Sequence, residues 1–574
     1  LFAPRRRHPE EVAAILTQLA LLARWSRHQQ RAVHLEGVAE RLRTGLRANR
    51  RASWASLRDL VQAAGPLPRW LNDLVERLRM PGIDEVDAAL RTLPPVTRAL
   101  SRAALDHPAL ASTLDAYDLL LPADIDRVSA LRGDTDASSE LDALVGSAPP
   151  GVVPLGRAWQ QTTQAIEELS DLSSHGTAWE RAGAIRRTEP LAEDVVLLAA
   201  TGAPAEWVRD VTTALPESAL SYAGRTALAL ATEPEPLVVY AVTPEALPAA
   251  LLWYTGPRAH VAELRARSAS QGLHLHAQGL DRHGAPMVVR AEADVYKALD
   301  LAPIPVELRH RPESIAQAAT GSLPDLVDVT DIRGDLHMHT VWSDGRDSMT
   351  SMVHAARALG YEYIAITDHS PLARASRVLT LERLAKQADE VAAVRQAFPD
   401  LTILHGIEVD IQSDGSLDVP DAMLATLDIV LASLHEGHGH SPARLLERYG
   451  TAARHPLVNV LTHPANRAPG RASGYALDFR RLFEVAAESG TAIEIDGAPG
   501  HLDLDAPLAE EAAAAGAVIV VDSDCHVADR LGRQMAFGVG LARRAALRPD
   551  QVLNTRDVGQ VRAFVSAKRA GRRW

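Results

Sequence analysis

The chain has 574 residues, 47% of them hydrophobic and 23% charged, and a formal net charge of −13. These are ordinary values for a soluble protein, and the length calls for several domains, since single cores stop growing near ~250–300 residues. No run of about 18 apolar residues and no signal-peptide pattern occurs, so a cytoplasmic protein without a membrane span is expected. The single cysteine, Cys525, excludes an internal disulfide and leaves histidine and carboxylate to bind any metal.

Residues 1–100 carry 17 Arg against 10 Asp and Glu, which leaves −20 for the remainder. Arg41, Arg43, Arg47, Arg50 and Arg51 are the candidate DNA contacts in this basic region, and a solvated helical surface is the plain alternative. Lysine occurs only at 297, 386 and 568, which rules out Schiff-base chemistry in the first half. Val12, Ile15, Leu16, Leu19 and Leu22 recur at helical spacing, and residues 8–175 read as helices broken at Gly65-Pro66, Pro81-Gly82, Pro94-Pro95 and Pro149-Pro150-Gly151. Two helical domains are expected, 1–100 and 101–175. Short apolar runs at Val195–Ala200 and Leu237–Val242 then suit buried strands and predict a mixed α/β domain over 176–320. Residues 311–330 read as the connection into a last domain, 321–574.

From 331 onward strand and helix alternate. Strands are predicted at Gly334–His339, Tyr363–Thr367, Thr402–Val409, Ile429–Leu434, Val458–Thr462, Ala492–Ile495 and Val518–Val521. Helices lie between most of them, such as Met349–Leu359 closed by Gly360 and Leu508–Ala515 closed by Gly516. Seven such units predict a closed or nearly closed parallel barrel, a distorted (β/α)7 barrel, in an α/β multidomain chain. In such barrels chemistry gathers at the carboxyl ends of the strands.

Nine candidate ligands fall at those ends: His337, His339, Asp344, His369, Glu408, His435, His463, Asp524 and His526. The His-x-His pair is informative because period-2 geometry points both rings the same way. Six imidazoles and three carboxylates suit two or three divalent ions, Mn²⁺, Zn²⁺ or Fe²⁺, with Glu408 placed to bridge. Such a cluster generates hydroxide near neutral pH and attacks phosphorus, so the same nine are the candidate catalytic residues. Asp335 and Asp368 stand beside ligand histidines as candidates to orient imidazoles, and Arg467 as a candidate phosphate contact. The sixth strand offers only Glu494 and Asp496, which stay outside the set. His354, His455 and His501 read as ordinary histidines, and His438 and His440 as part of a flexible loop.

Gly334–Gly345, Ile364–Ser370, Gly406–Glu408, Ser433–His435, Leu461–Pro464 and Ser523–His526 together resemble the PHP (polymerase and histidinol phosphatase) domain. The resemblance implies a distorted seven-stranded barrel with a trinuclear metal centre, and its ligand positions fall on the nine residues named above. The family usually has Asn near Asp496, an Asn-Pro-His-Arg segment where this chain reads Ala498-Pro499-Gly500-His501, and often Ala at Cys525. These departures touch substrate contacts rather than metal binding.

Three segments of the first half resemble bacterial family X DNA polymerases, which often carry a PHP domain at the carboxyl end. They are Ala182–Arg187, Trp253–His260, and Val295–Leu299 with Ile304–Leu308. The polymerase carboxylates, an Asp-x-Asp pair and a third Asp, fall on Asp194, Val196 and Val238. Valine cannot ligate Mg²⁺, so a complete Mg²⁺ site at the palm is not expected. Ala64–Pro68 and Leu93–Thr97 replace the Gly-x-Gly turns that would bind DNA phosphates, and proline removes the amide such a turn needs.

The reading that results is a metal-dependent phosphoesterase, a 3′–5′ exonuclease acting on gapped or 3′-ended DNA in repair, in a polymerase-like chain with a degenerate polymerase site. Three alternatives stand beside it: a gap-filling DNA polymerase with associated exonuclease, a nucleotide or sugar phosphatase, and a DNA-binding or partner-binding scaffold.

Overall fold

The computed structural model describes residues 152–572, except 174, 217, 218, 233, 234, 374 and 436–439. The helical reading of 8–150, the five candidate DNA-binding arginines and His438 lie outside the described residues. Packing divides the chain into two compact units: one holds Arg157–Arg186 and Ala192–Pro303, the other Pro154–Gly156, Arg187–Leu191 and the residues from Ile304 onward.

The first unit contains a five-stranded sheet of β1 (Ala178–Ala182), β2 (Val195–Ala200), β3 (Leu220–Ala223), β4 (Ala227–Leu230) and β5 (Leu237–Val242), in the order β1-β2-β5-β4-β3. β2 runs parallel to β5 and antiparallel to β1. Every residue of β2 is buried, which is why its sequence is a continuous apolar run rather than an alternating one. Helices α1 (Pro204–Ala214), α2 (Leu247–Thr255) and α3 (Arg258–Ser270) lead to a small antiparallel sheet of β6 (Leu273–His276), β7 (Gly279–Arg282) and β8 (Ala285–Pro286), followed by α4 (Glu292–Ala298).

In this sheet Val196 stands directly opposite Val238, the two positions where the polymerase resemblance requires carboxylates. Both are buried. Asp194, the first position of the pair, accepts the Ala184 N–H at 2.8 Å and so closes the turn at Gly183, whose φ is +63°. Arg186 is held by Glu292 and by Thr255 Oγ1 at 3.0 Å.

The second unit is the expected barrel. Its strands are β9 (Gly334–Asp335), β10 (Tyr363–Ile366), β11 (Thr402–Asp410), β12 (Ile429–Ser433), β13 (Val460–Leu461), β14 (Ala492–Asp496) and β15 (Ile519–Asp522), all parallel and adjacent in chain order. Between and after them run α5 (Met349–Ala358), α6 (Leu381–Ala397), α7 (Pro442–Arg454), α8 (Phe479–Ser489), α9 (Ala506–Ala514), α10 (Leu531–Arg544) and α11 (Val558–Arg569). Six of these helices start at a residue whose side chain accepts a first-turn N–H: Ser348, Thr380, Ser441, Asp478, Asp505 and Asp557. Each such cap satisfies an amide the helix cannot, worth about 1 kcal/mol.

Contacts at the mouth and at the floor join β9 to β15. At the mouth, Met338 and Cys525 form a parallel bridge, with His339 N–H donating to the Cys525 carbonyl at 2.9 Å. At the floor, buried Asn554 donates to the carbonyls of Gly334 and Val521 and accepts the Val521 N–H. The floor is apolar: Tyr363, Ala365, Leu404, Ile429, Leu431, Val460, Ala492 and Val520 pack on Val561 and Phe564 of α11. Leu404 and Glu408 share one face of β11 by period-2 geometry, so the same face passes from apolar floor to acidic mouth. Gly406 lies between them because a Cβ there would stand 2.8 Å from Ile429 Cγ2 and 2.9 Å from its carbonyl oxygen.

Residues 311–330, expected as a linker, lie along the barrel. Ser314–Thr320 is helical, Arg311 donates to the Arg544 carbonyl at 3.1 Å, and Val327 N–H donates to the Leu547 carbonyl at 2.9 Å.

Candidate metal centre

The strands deliver all nine predicted donors to one end of the barrel. His337 and His339 face each other, Nε2 to Nε2 at 3.1 Å, with Asp524 Oδ1 at 3.0 Å from His339 Nε2 and 3.6 Å from His337 Nε2. Glu408 reaches towards five rings. Its Oε2 lies 3.6 Å from His337, 3.7 Å from His339 and 2.7 Å from His369, and its Oε1 lies 3.4 Å from His435 and 3.0 Å from His463. Asp344 Oδ1 stands 3.5 Å from His369 Nε2 and 3.3 Å from His526 Nε2. The donors fall into overlapping groups, His337/His339/Asp524, His369/Glu408/His435 and His339/Asp344/His369/His526.

Six of these ten spacings, at 3.3–3.7 Å, are longer than good hydrogen bonds, while the other four, at 2.7–3.1 Å, lie within hydrogen-bond range. A tetrahedral ion with 2.0–2.1 Å bonds to nitrogen and oxygen separates its ligands by about 3.3–3.4 Å. Moreover, Glu408 Oε2, His369 Nδ1 and Asp344 Oδ1 are buried without a hydrogen-bond partner, although oppositely charged or polar atoms crowd them. A buried polar atom left so costs about 1–3 kcal/mol, and convergent lone pairs around a cation remove that cost. The donor set therefore fits several divalent ions. Its inner members, His337, His339 and Glu408, are fully buried, while Asp344 and His526 are 19% and 32% exposed and face the mouth.

Electrostatics follow the same plan. Burial alone would raise the Glu408 carboxyl, but the His369, His435 and His337 rings hold it well below its usual range. Burial and the neighbouring His369 and His526 push His339 down to about 3, which keeps its ring neutral and its lone pair free. Two of the candidate donors also carry strained backbone, His463 at φ +29° and Asp524 at φ +47°. Non-glycine residues there cost of order 1–3 kcal/mol and persist where their surroundings fix them. Here Glu494 Oε2 accepts the His463 N–H at 2.7 Å, and Asp335 Oδ1 accepts the Ser523 N–H at 3.2 Å.

The remaining predicted residues take other places. Asp335 Oδ1 also accepts the His337 backbone N–H at 3.3 Å and touches no imidazole. Asp368 ties down the 340–343 loop through Thr340, Ser343 and Gln387. Orientation of imidazoles falls instead to two acids outside the predicted set: Glu494 Oε1 meets His337 Nδ1 at 2.7 Å, and Asp410 Oδ1 meets His435 Nδ1 at 2.8 Å. Glu494 shares the inward face of β14 with Ala492, and its place at a strand end was the signal. Arg467 is engaged by Asp505 at 2.7 Å. His501, read as ordinary, stands with Asp496 and Asp524, its ring 5.1 Å from that of His463. His354 packs on Phe398 and His455 pairs with Asp421, while His440 joins none of the donor groups.

Beside the donors opens a cavity of about 240 Å³ lined by Asp524 and His526, by His501 and Gln534, and by Arg530. Arg530 is exposed, and its guanidinium has no salt bridge among the described residues.

Comparison with known proteins gives two family matches, a PHP domain over residues 335–496 and a DNA polymerase beta thumb over 250–310. The chain is 33% identical over 461 residues to the DNA polymerase/3′-5′ exonuclease PolX of Bacillus subtilis (strain 168), covering 79% of this chain and 80% of that protein. It is 30% identical over 248 residues to a probable phosphatase of Thermoanaerobacter sp. (strain X514), covering 41% of this chain and 95% of that protein. Among solved structures it matches histidinol phosphate phosphatase from Lactococcus lactis, complexed with zinc, L-histidinol and phosphate, at 17% identity and a TM-score of 0.29, over 37% of this chain and 93% of that one.

Proposed function

Because the chain belongs to the bacterial family X DNA polymerases that carry a carboxy-terminal PHP domain, we propose that its barrel is a metal-dependent phosphoesterase working as a 3′–5′ exonuclease on DNA. The single observation that carries this reading is the gathering of nine donors at one end of the barrel, five rings around Glu408, His369 and His526 at Asp344, and His337 and His339 at Asp524. His337, His339, Asp344, His369, Glu408, His435, His463, Asp524 and His526 hold two or three ions of Mn²⁺, Zn²⁺ or Fe²⁺. When bound, such ions activate water near neutral pH and neutralise charge on a phosphate.

The chain's own residues do the rest. Glu494 and Asp410 fix the His337 and His435 rings by accepting at Nδ1, leaving Nε2 to face the centre. Glu408 lies between the inner and outer groups and holds them in register. The cavity beside Asp524 and His526 receives the substrate, where Arg530 pairs with a phosphate through its planar fork. The substrate is DNA with a 3′ end, in gapped or recessed duplexes.

The palm-like sheet supports hydrolysis over synthesis, since Val196 and Val238 offer no oxygen to an ion at two of three positions. The likeness of the barrel to a probable phosphatase favours a second reading, hydrolysis of small phosphate monoesters.

The test is a metal-screened assay on 3′-recessed, gapped and single-stranded DNA, beside nucleotides and sugar phosphates, with and without deoxynucleotides. Shortening from the 3′ end that disappears in His339→Ala and Asp524→Ala is the expected result. Release of phosphate from small esters with oligonucleotides left intact would establish the second reading instead. Unchanged nuclease activity in both variants would remove the barrel from the chemistry.

A further inference from the structure

A second, separate group of metal donors lies on the outer face of the β6–β7 hairpin. Strand β6 reads Leu273-His274-Leu275-His276. Its two leucines are 4% and 1% exposed, so period 2 turns both histidines away from the core. Asp281 on β7 stands directly opposite His274, and Gly279 stands opposite His276. Directly opposed residues share a face of an antiparallel pair, so His274, His276 and Asp281 form one outward triangle.

The side chains already converge. His276 Nε2 is 3.2 Å from Asp281 Oδ2, the two rings are 5.3 Å apart, and one donor atom from each of the three residues lies within 4.8 Å of the others. Gly279 leaves space beneath His276, since a Cβ there would come no nearer to the ring than 3.9 Å. His276 also has an outer partner suited to either tautomer. In one, Nδ1 accepts the Gln278 N–H at 3.3 Å and Nε2–H points to Asp281. In the other, Nδ1–H donates to Gln278 Oε1 at 3.2 Å and Nε2 is left as a donor to a cation.

We infer that this hairpin binds one divalent transition ion, with Zn²⁺ the ion of choice, through His274, His276 and Asp281. Two imidazoles, a carboxylate and one position left to solvent make a four-coordinate site for a borderline ion. Closing the triangle from within 4.8 Å to the spacing of about 3.3–3.4 Å that such an ion needs takes a movement of at most about 1.5 Å, and exposed His274 is free to make it. The ion would add a side-chain clip to β6 and β7, which their antiparallel ladder already pairs. The inference is independent of the barrel chemistry, because it draws on no barrel residue.

The experiment is equilibrium dialysis of the full chain against Zn²⁺, with metal counted per chain, in the wild type, in the double variant His274→Ala/His276→Ala, and in Asp524→Ala. The double variant should lose one equivalent of micromolar affinity while its phosphoesterase rate stays at the wild-type value, and Asp524→Ala should keep that equivalent. Histidine-directed acylation read by peptide mass spectrometry gives a second measure, and Zn²⁺ should protect His274 and His276 at least fivefold in both the wild type and Asp524→Ala. Equal zinc content in the wild type and double variant, or acylation of both histidines unaffected by Zn²⁺, would overturn the inference. A barrel inactive towards every ester would leave these readings as they stand.

Discussion

Glu494 shows what strand-end reading reaches and where it stops. The nine donors were visible because histidine and acid recur where apolar runs finish, and the barrel brings those finishes together. Glu494 occupies the same kind of position, yet nothing in its local sequence says that its oxygens meet His337 Nδ1 and the His463 N–H, residues 157 and 31 positions away. Such a partner is set by the closure of the sheet. Glu494→Gln should weaken metal retention by about 10–100-fold, the usual effect of removing a carboxylate behind a ligand histidine. Chelator competition measures this directly, and an unchanged affinity would deny Glu494 its orienting role. Arg530 was equally invisible, because an exposed arginine in a loop has no pattern to mark it. Its replacement by Ala should raise KM for oligonucleotides about tenfold, the worth of one charge-assisted contact, with little change in kcat. A kcat loss at constant KM would place Arg530 elsewhere in the reaction.

At the level of elements, the sequence located all seven barrel strands but overstated two. Gly334–His339 was expected as a strand of full length, and the ladder stops at Asp335 because Leu336 N–H goes to Asp522 Oδ1 and His337 N–H to Asp335 Oδ1. Val458–Thr462 shortens to Val460–Leu461 as the Asn459 side chain accepts the Val430 N–H. In both places a polar side chain substitutes for the neighbouring strand, which apolar periodicity does not report. The glycine between Leu404 and Glu408 was legible only as part of a motif, and packing supplies its reason. Gly406→Ala should cost about 1–3 kcal/mol from overpacking against Ile429 and Thr367, seen as a lowered midpoint in thermal unfolding. An unaltered midpoint would mean that β11 and β12 can part without penalty.

Taken as a molecule, the barrel unit has one weak line. Six neighbouring strand pairs share ladders, whereas β9 and β15 meet through the Met338–Cys525 bridge, the side chain of Asn554 and two side-chain contacts, Leu336 N–H to Asp522 and Ser523 N–H to Asp335. Removing the Asn554 side chain strands the buried Gly334 and Val521 carbonyls and the Val521 N–H, so Asn554→Ala should cost about 3–6 kcal/mol, taking three lost buried partners at about 1–2 kcal/mol each. Denaturant unfolding of the full chain, followed through the barrel transition, tests it, and a cost below 1 kcal/mol would show that the line is held elsewhere. The chain order itself explains why this was hidden: which strands adjoin follows from alternation, but how the first meets the last is a matter of three-dimensional closure.

That junction has a chemical consequence. His337 and His339 leave the first strand, Asp524 and His526 leave the last, and they face one another across the gap. Cations seated there would act as rivets through the open hoop, so catalysis and mechanical integrity would draw on the same ions. Stripping them with a chelator should therefore speed amide hydrogen exchange at 334–339 and 519–526 while β10 to β12 stay protected. A site of this kind cannot lose its chemistry quietly: emptied of its ions, the hoop springs open at the clasp.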